Sequence, residues 1–306
     1  MGQRSVANNN LKRLTKFLHQ SAGEGWRDVW KNKRAQGRTV ESHSQKPHSS
    51  AWLSRSVGNI SESDKAWAIK ARLNLLPTLL ARSHYAKVPR GFKPPTLCRV
   101  CQNGVESSAH ILNSCQPMQE SWVTRHDAVV RLIANNVPSS TIRRITIDQM
   151  DELAYRHGVE GALGRELKPD LVVVQQPQYA STGGLEGMRA NLTILDVAVP
   201  YEKDGALDLR QAQKIAKYTP LKQLYKDHHP QLQGEVHAFP VGSLGSIHGS
   251  CFGALRRLGI PRQRAHEVMR KASVLAIQGS RRLWSRWCQM LYRLPPERQN
   301  PPPVPI

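Results

Sequence analysis

The sequence predicts an α/β fold preceded by a small helical region ordered by a metal ion. Three observations carry this reading. KPDLVVV and NLTILDVAVPYE are short apolar runs rich in β-branched residues, too short for free-standing helices. The stretches around them show helical rather than alternating periodicity. Between Cys98 and Cys115, three of the chain's five cysteines fall within eighteen residues, with a histidine among them.

Taken in order, residues 1–63 are basic, with eleven Lys/Arg against three Asp/Glu up to residue 60, and read as a partly disordered linker. Residues 64–118 hold the first helices and the cysteine cluster. From Asp64 to Tyr85, Trp67, Ile69, Leu73 and Leu76 have helical spacing broken by Pro77, which predicts two short helices. Residues 119–292 form the larger unit. There Trp122, His126, Val129 and Ile133 recur at i, i+4, i+7 and i+11, an amphipathic helix with one buried face. The two strands follow, joined by a long Gly-rich loop. Asp208 with Gln211 then makes a capping pair before a helix that Pro220 should end or kink. VHAFPV reads as an edge strand because of Pro240. Two basic helices close the unit, with stripes at Val268, Met269, Ala272, Leu275 and Ala276 and at Leu283, Trp284, Trp287, Cys288 and Leu291. Residues 293–306 are proline-rich and read as an extended, exposed tail.

The chain has 306 residues, 44 basic against 23 acidic, for a formal net charge of +21. Such an excess points to a polyanionic partner, with nucleic acid the best fit; a ribosome-like or membrane-surface polybasic protein is the alternative. No run of eighteen apolar residues is present and the first residues are polar, which argues against a membrane span or a secretory leader. Five clustered cysteines suit a reducing compartment rather than a disulfide framework.

Cys98-x2-Cys101-x8-His110-x4-Cys115 supplies four ligands of the kinds Zn²⁺ prefers, and three thiolates with one imidazole close a tetrahedron without an open position. The alternative is three buried free cysteines beside a chance histidine. The flanking Arg90, Lys93 and Arg99 stay positive and available to phosphate, while Cys288 reads as a core residue.

Asp170 opens the first strand, and Asp196 lies inside the second, where an unpaired carboxylate costs several kcal/mol. Two carboxylates converging from neighbouring strands make a hard oxygen site suited to Mg²⁺; alternatively Asp196 pairs with an arginine or points to solvent. Strand parity sets Asp196, Ala198, Pro200 and Glu202 on one side. A lysine at position 198 would complete a D-x-K strand, and alanine stands there, so the amine must come from the next helix. Lys214 and Lys217 are the candidates, with Lys217 favoured as nearer the apolar edge formed by Leu209, Ala212 and Ala216.

The ordered set of the Cys/His knuckle, Arg125-His126-Asp127, Lys168-Pro169-Asp170, Leu195 to Glu202, Lys217-Tyr218 and the later VGSLG resembles the C-terminal region of proteins encoded by site-specific non-LTR retrotransposons that carry a restriction-enzyme-like endonuclease. The likeness covers roughly residues 65–290. It implies a PD-(D/E)xK core, with a mixed central sheet flanked by helices, Mg²⁺ on Asp170 and Asp196, and a displaced catalytic lysine, Lys217 or Lys214, beside Glu202 and Tyr218. Nicking of double-stranded DNA for target-primed reverse transcription follows, with element RNA and the polymerase portion of the same polyprotein as partners and the nucleus as location. Arg125, His126 and Lys168, with Arg256, Arg257, Arg281 and Arg282, would bind nucleic acid, although His126 equally suits a satisfied core histidine. The paired aspartates of a polymerase are missing here, so the chain reads as a fragment or remnant. A catalytically inactive zinc-knuckle binding module is the competing function.

Overall fold

A computed structural model of the chain describes residues 24–33, 36–43, 47–53, 60–84, 86–138, 142–145, 167–175, 190–203, 205–228 and 232–305. The first 23 residues and most of the loop that joins the two predicted strands lie outside this set. The architecture is mixed α/β. Two helices, α1 (Glu62–Arg72) and α2 (Leu79–Ser83), fall on either side of Pro77 as the sequence predicts. Each is capped by a hydroxyl three residues before the amide it accepts from: Ser61 Oγ from Asp64 N, and Thr78 Oγ1 from Ala81 N, both at 3.1 Å. Next come a two-residue strand β1 (Phe92–Lys93), the metal knuckle with its short helix α3 (Ser108–Asn113), and the amphipathic helix α4 (Gln119–Ala134).

The sheet is built from β2 (Ile142–Ile145), β3 (Leu171–Gln175), β4 (Ala190–Ala198) and β5 (Leu232–Pro240), in that spatial order. β2, β3 and β4 pair antiparallel, whereas β4 and β5 are parallel. A parallel pair needs a crossover, and helix α5 (Ala206–His228) supplies it. β4 is buried from Leu192 to Ala198 because both of its faces are covered. Leu195 and Val197, with Leu171 and Val173, enter the core shared with α4, α6 (Ser250–Arg257) and α7 (Arg262–Tyr292). Leu192 and Ile194, with Val172, pack instead on Tyr218 and Leu221 of α5. As predicted, β5 with its Pro240 is an outer strand of the described sheet.

Four sequence expectations are corrected. Pro220 does not end its helix: α5 continues to His228, since Tyr218, Leu221, Leu224 and Tyr225 on either side of the proline are anchored against the sheet and tertiary packing outweighs the lost backbone bond. Asp208 is not a cap. It lies inside the first turn and takes His248 Nε2 at 2.9 Å. The two C-terminal basic helices are one 31-residue helix, α7, about 46 Å long at 1.5 Å per residue. Gly279, in the segment that seemed to divide them, is a close-approach position: a β-carbon there would collide with the Arg125 side chain of α4, which crosses at this point. The proline-rich tail is not free either. Val304–Pro305 (β6) pairs antiparallel with β1, and Arg298 Nη2 donates to the carbonyls of Arg99 and Val100 at 2.8 and 3.2 Å.

The boundary drawn at residue 118 divides no core. Cys98, Ile111, Leu112, Cys115 and Met118 of the knuckle region share one cluster with Leu244 and with Leu283, Trp284 and Trp287 of α7. Part of the N-terminal basic segment also docks. Ser49 Oγ accepts from Ile247 N at 2.8 Å, Trp52 is buried, and His48 Nε2 lies 2.8 Å from His266 Nδ1. Burial first, then the charges of His266 and Arg270, lower the His48 pKa, so this contact favours the neutral ring. The stability it lends is complete above about pH 6.5 and is lost as pH falls through the lowered value. Acidification is therefore expected to lower amide-exchange protection over 47–53 before the sheet responds. Protection in that segment that tracks the sheet at every pH would contradict this.

Candidate active site and metal centre

The knuckle is shaped by a short turn between the first two cysteines. Gln102 N donates to Cys98 O at 2.9 Å, Cys98 N donates to Gly104 O at 2.9 Å, and Gln102 and Gly104 both take positive φ (55° and 81°). Gly104 is required twice over, because a β-carbon there would press on the His110 imidazole. Ser107 Oγ accepts from His110 N at 3.1 Å, starting α3 so that it presents His110 to the cysteines. The ligand atoms of Cys98, Cys101, His110 and Cys115 all lie within 4.8 Å of one another, with Cys101 Sγ 3.2 Å from His110 Nε2. The three crowded sulfurs differ in acidity. Hydrogen bonding from Cys115 holds the Cys98 thiol down to about 3, burial pushes Cys101 up, and the Cys98 thiolate pushes Cys115 up. Three soft sulfurs and an imidazole converging on one point can hold a metal such as zinc.

Arg99 does not remain available for phosphate. It is buried, its Nη2 and Nε donating to Glu106 Oε1 and Oε2 at 2.7 and 2.9 Å, while Glu106 also accepts from Leu79 N and Arg99 N. Arg99 Nη1 reaches Gln299 O at 2.7 Å. This fork binds α2, the knuckle and the C-terminal tail together.

The acidic pair sits where the sheet ends. Leu171 pairs with Leu195, and continuing that antiparallel register by one residue sets Asp170 opposite Asp196. Both are buried. Asp170 Oδ2 accepts from Val197 N at 2.6 Å and lies 3.2 Å from His126 Nε2. His126 Nδ1 is 3.1 Å from Asp127 Oδ1. Burial alone would lower the His126 pKa, but Asp170 and then Asp127 outweigh it and hold it up at about 9. Half-buried with both nitrogens partnered, the ring fits the satisfied-histidine alternative, with Asp170 as its chief partner. Burial first and Asp170 second raise the Asp196 pKa.

Lys214, not Lys217, meets the pair: its Nζ lies 2.5 Å from Asp196 Oδ2, close enough for a charge contact but off the axis of a directed hydrogen bond. Lys217 extends over the Tyr218 ring, 5.1 Å from its centroid. The expectation failed because the apolar edge was misplaced. Leu209, Ala212 and Ala216 are exposed, and the sheet-facing stripe is Leu207, Lys214, Tyr218, Leu221 and Tyr225, spaced seven, four, three and four residues apart. Tyr218 lies one turn beyond Lys214, donates its hydroxyl to Lys168 O at 2.8 Å, and has its pKa raised by burial and by Asp196. Lys168 itself is exposed.

Glu202 is committed to the turn Gly242–Ser246 rather than to either candidate lysine. Its buried carboxylate accepts from Leu244 N at 2.7 Å, Ser246 N at 3.1 Å, Ser246 Oγ at 3.0 Å and Ser243 Oγ at 3.3 Å. Burial raises its pKa against these bonds. Gly242 has no room for a side chain, because a β-carbon would overlap this carboxylate. Arg125, expected to bind nucleic acid, is buried between α4 and α7, where Nη1 donates to Ser280 Oγ at 2.7 Å. Burial lowers the pKa of both Arg125 and Arg72 to about 10, countered by the charge of Glu202. Arg281 is held by Asp64 at 2.6 Å and Arg257 by Glu235 at 3.1 Å, whereas Arg256 and Arg282 are exposed on α6 and α7.

A groove of about 1170 Å³ lies between knuckle and acid site. Ala109, His110 and Asn113 form one wall, Trp122, Val123 and His126 another, and Val197 to Lys203 with Arg210 and Lys214 the rest. Neither His126 as counter-ion to Asp170 nor Asn113 as a wall residue stood out in sequence. No helix among the described residues is long and apolar enough to cross a membrane. No protein-family profile matches the chain, and neither does any curated protein.

Removing the buried carboxylate tests its structural role. Glu202→Ala removes the negative charge facing buried Arg125 and half-buried Arg72 and should lower unfolding free energy by about 3–5 kcal/mol in urea denaturation. A loss under 1 kcal/mol would mean that the charge is solvated. Purified protein should carry one zinc per chain, and Cys115→Ser should lose it, as read by metal analysis.

Proposed function

We propose that the chain is a Mg²⁺-dependent DNA endonuclease of the restriction-enzyme-like kind, the nicking portion of a non-LTR retrotransposon protein. The observation that carries this reading is the Lys214 ammonium set against Asp196, with Asp170 opposite in the same register. Two buried acids with a lysine lent by the next helix supply the elements of a D…D-x-K centre, with the amine arriving from α5 because Ala198 offers only a methyl. The pair also fits a cation, since crowding by Asp170 helps to raise Asp196. Bound by Asp170 and Asp196, Mg²⁺ would supply Lewis-acid stabilisation of the scissile phosphate. Lys214 then orients the attacking water or offsets charge on the phosphate. His126 orients Asp170. Tyr218, tied to the Lys168 carbonyl, keeps α5 in register with the strand carrying Asp170. Lys203 and Arg210, exposed at the groove, and Arg256 and Arg282 beyond it meet the DNA backbone and set position rather than sequence. In this reading the knuckle, loaded with zinc, contributes a wall of the groove. Element RNA, the polymerase portion of the polyprotein and a nuclear location complete the proposal.

One observation favours a second reading. Asp170 is already matched by Val197 N and His126, and Asp196 by Lys214, as suits a nucleic-acid-binding remnant that never engages Mg²⁺. Plasmid nicking separates the two. Under the nuclease reading, supercoiled plasmid is nicked with Mg²⁺, Asp196→Asn and Lys214→Met each slow the reaction about 100-fold or more, and Lys217→Met leaves it unchanged. Wild-type protein that binds DNA in a salt-sensitive manner without nicking would establish the binding module instead, and equal nicking by Asp196→Asn would remove the acid pair as the reacting site.

A further inference from the structure

The geometry points to Asn113 as a positioning residue that makes the acid-bearing strand end depend on the metal knuckle; the catalytic part of this inference rests on the nuclease reading. β4 leaves the sheet through four consecutive carbonyls, and each is held by a different partner. Val197 O lies 3.3 Å from His126 Nε2, Ala198 O accepts from Val241 N at 2.9 Å, Val199 O from Asn113 Nδ2 at 2.6 Å, and Pro200 O from Ser243 N at 2.8 Å. The amide that begins this run, Val197 N, is the one that orients Asp170. Three of these tethers come from within the α/β unit. Asn113 brings the knuckle to the same run.

Its placement follows from the metal ligands. Asn113 is the last residue of α3, between His110 and Cys115, and His110 O accepts from both Ser114 N at 2.7 Å and Cys115 N at 2.8 Å. The turn that brings Cys115 back to His110 therefore also aims the Asn113 amide. Within that amide, Nδ2 is committed to Val199 while Oδ1 is buried without a hydrogen-bond partner. Leaving a buried acceptor unmet is unfavourable, so the site holds this side chain for the donor it presents. Asn113, Val197 to Lys203 and Lys214 border one groove. When His110 and Cys115 are gathered on zinc, Asn113 is fixed and so is the strand end. Without that constraint α3 can turn, Val199 O loses its partner, and the backbone between Asp196 and Lys203 gains freedom beside the reacting groups.

Amide hydrogen exchange over 198–203 reads the tether directly. In zinc-loaded protein, Asn113→Ala should speed exchange there about fivefold, as expected for one lost hydrogen bond, while zinc stays at one per chain and exchange over 98–106 is unchanged. Asn113→Asp, which keeps the shape but removes the donor, should behave the same way. In plasmid nicking both variants should lower kcat about 100-fold and change KM far less, since of the groups that hold DNA only Lys203 lies in the loosened stretch. Exchange over 198–203 equal to wild type in both variants overturns the inference. Should the variants fail to fold, zinc-stripped wild type decides: faster exchange at 198–203 supports the tether, and a change confined to 98–115 overturns it. A wild type that never nicks sinks the nuclease reading alone, because the exchange measurements need no activity.

Discussion

The Glu202 carboxylate is the constraint around which the rest is arranged. It lies buried in the turn Gly242–Ser246, takes two backbone amides and two hydroxyls, and sits in the field of buried Arg125 and half-buried Arg72. Each arginine arrives from a different helix and each is fastened to something else. Arg72 of α1 grips the carbonyls of Leu244 and Ser49, and Arg125 of α4 grips Ser280 of α7. Two α7 hydroxyls then donate back to the same turn, Ser280 to Ser243 O and Ser273 to Gly245 O. One carboxyl group thus joins three helices, the exit of the central strand and a docked N-terminal segment. An ion buried at this depth repays its desolvation only when almost every lone pair is used.

Around that hub the sheet separates two environments. One face is an apolar core of α4, α6 and α7 side chains, and the other is a thinner layer under α5. The acid pair stands at the sheet's end, where the register of β3 and β4 sets it and where both layers contribute a cation: His126 from α4 and Lys214 from α5. Opposite charges delivered from opposite sides let two carboxylates remain buried a strand apart. The same economy appears at the knuckle, where Arg99 and Glu106 neutralise each other completely. The net charge of +21 therefore overstates the number of cations open to a partner, because Arg72, Arg99 and Arg125 are interior structural groups.

What could be read from sequence was whatever local periodicity and spacing encode. The Cys/His set, the two strands, the helix carrying Val129 and Ile133, and the edge position of Pro240 all follow from patterns within about twenty residues. The choice of Lys217 failed for a local reason, since small and weakly apolar residues at 209, 212 and 216 imitated a buried stripe that runs through 207, 214, 218, 221 and 225. Pro220 misled because its usual meaning as a breaker was overridden by anchoring aromatics, and the division of α7 into two helices failed because the helix runs on through Gly279, where α4 crosses. Glu202, Arg125 and Asn113 were illegible for another reason: their partners lie 42, 155 and 86 positions away, and no single-chain pattern announces such pairings.

The docked tail has a consequence for how the molecule is made. Arg298 fastens the carbonyls of Arg99 and Val100, about two hundred positions upstream, inside the span between the first two cysteines. During synthesis the thiols emerge long before the arginine that completes their enclosure, and closing so long a loop is slow relative to local folding. The nascent cysteines must wait in solvent until the segment around Arg298 arrives. Enclosure of the thiols is thereby delayed until distant parts of the chain are made, and the knuckle is not an independent finger.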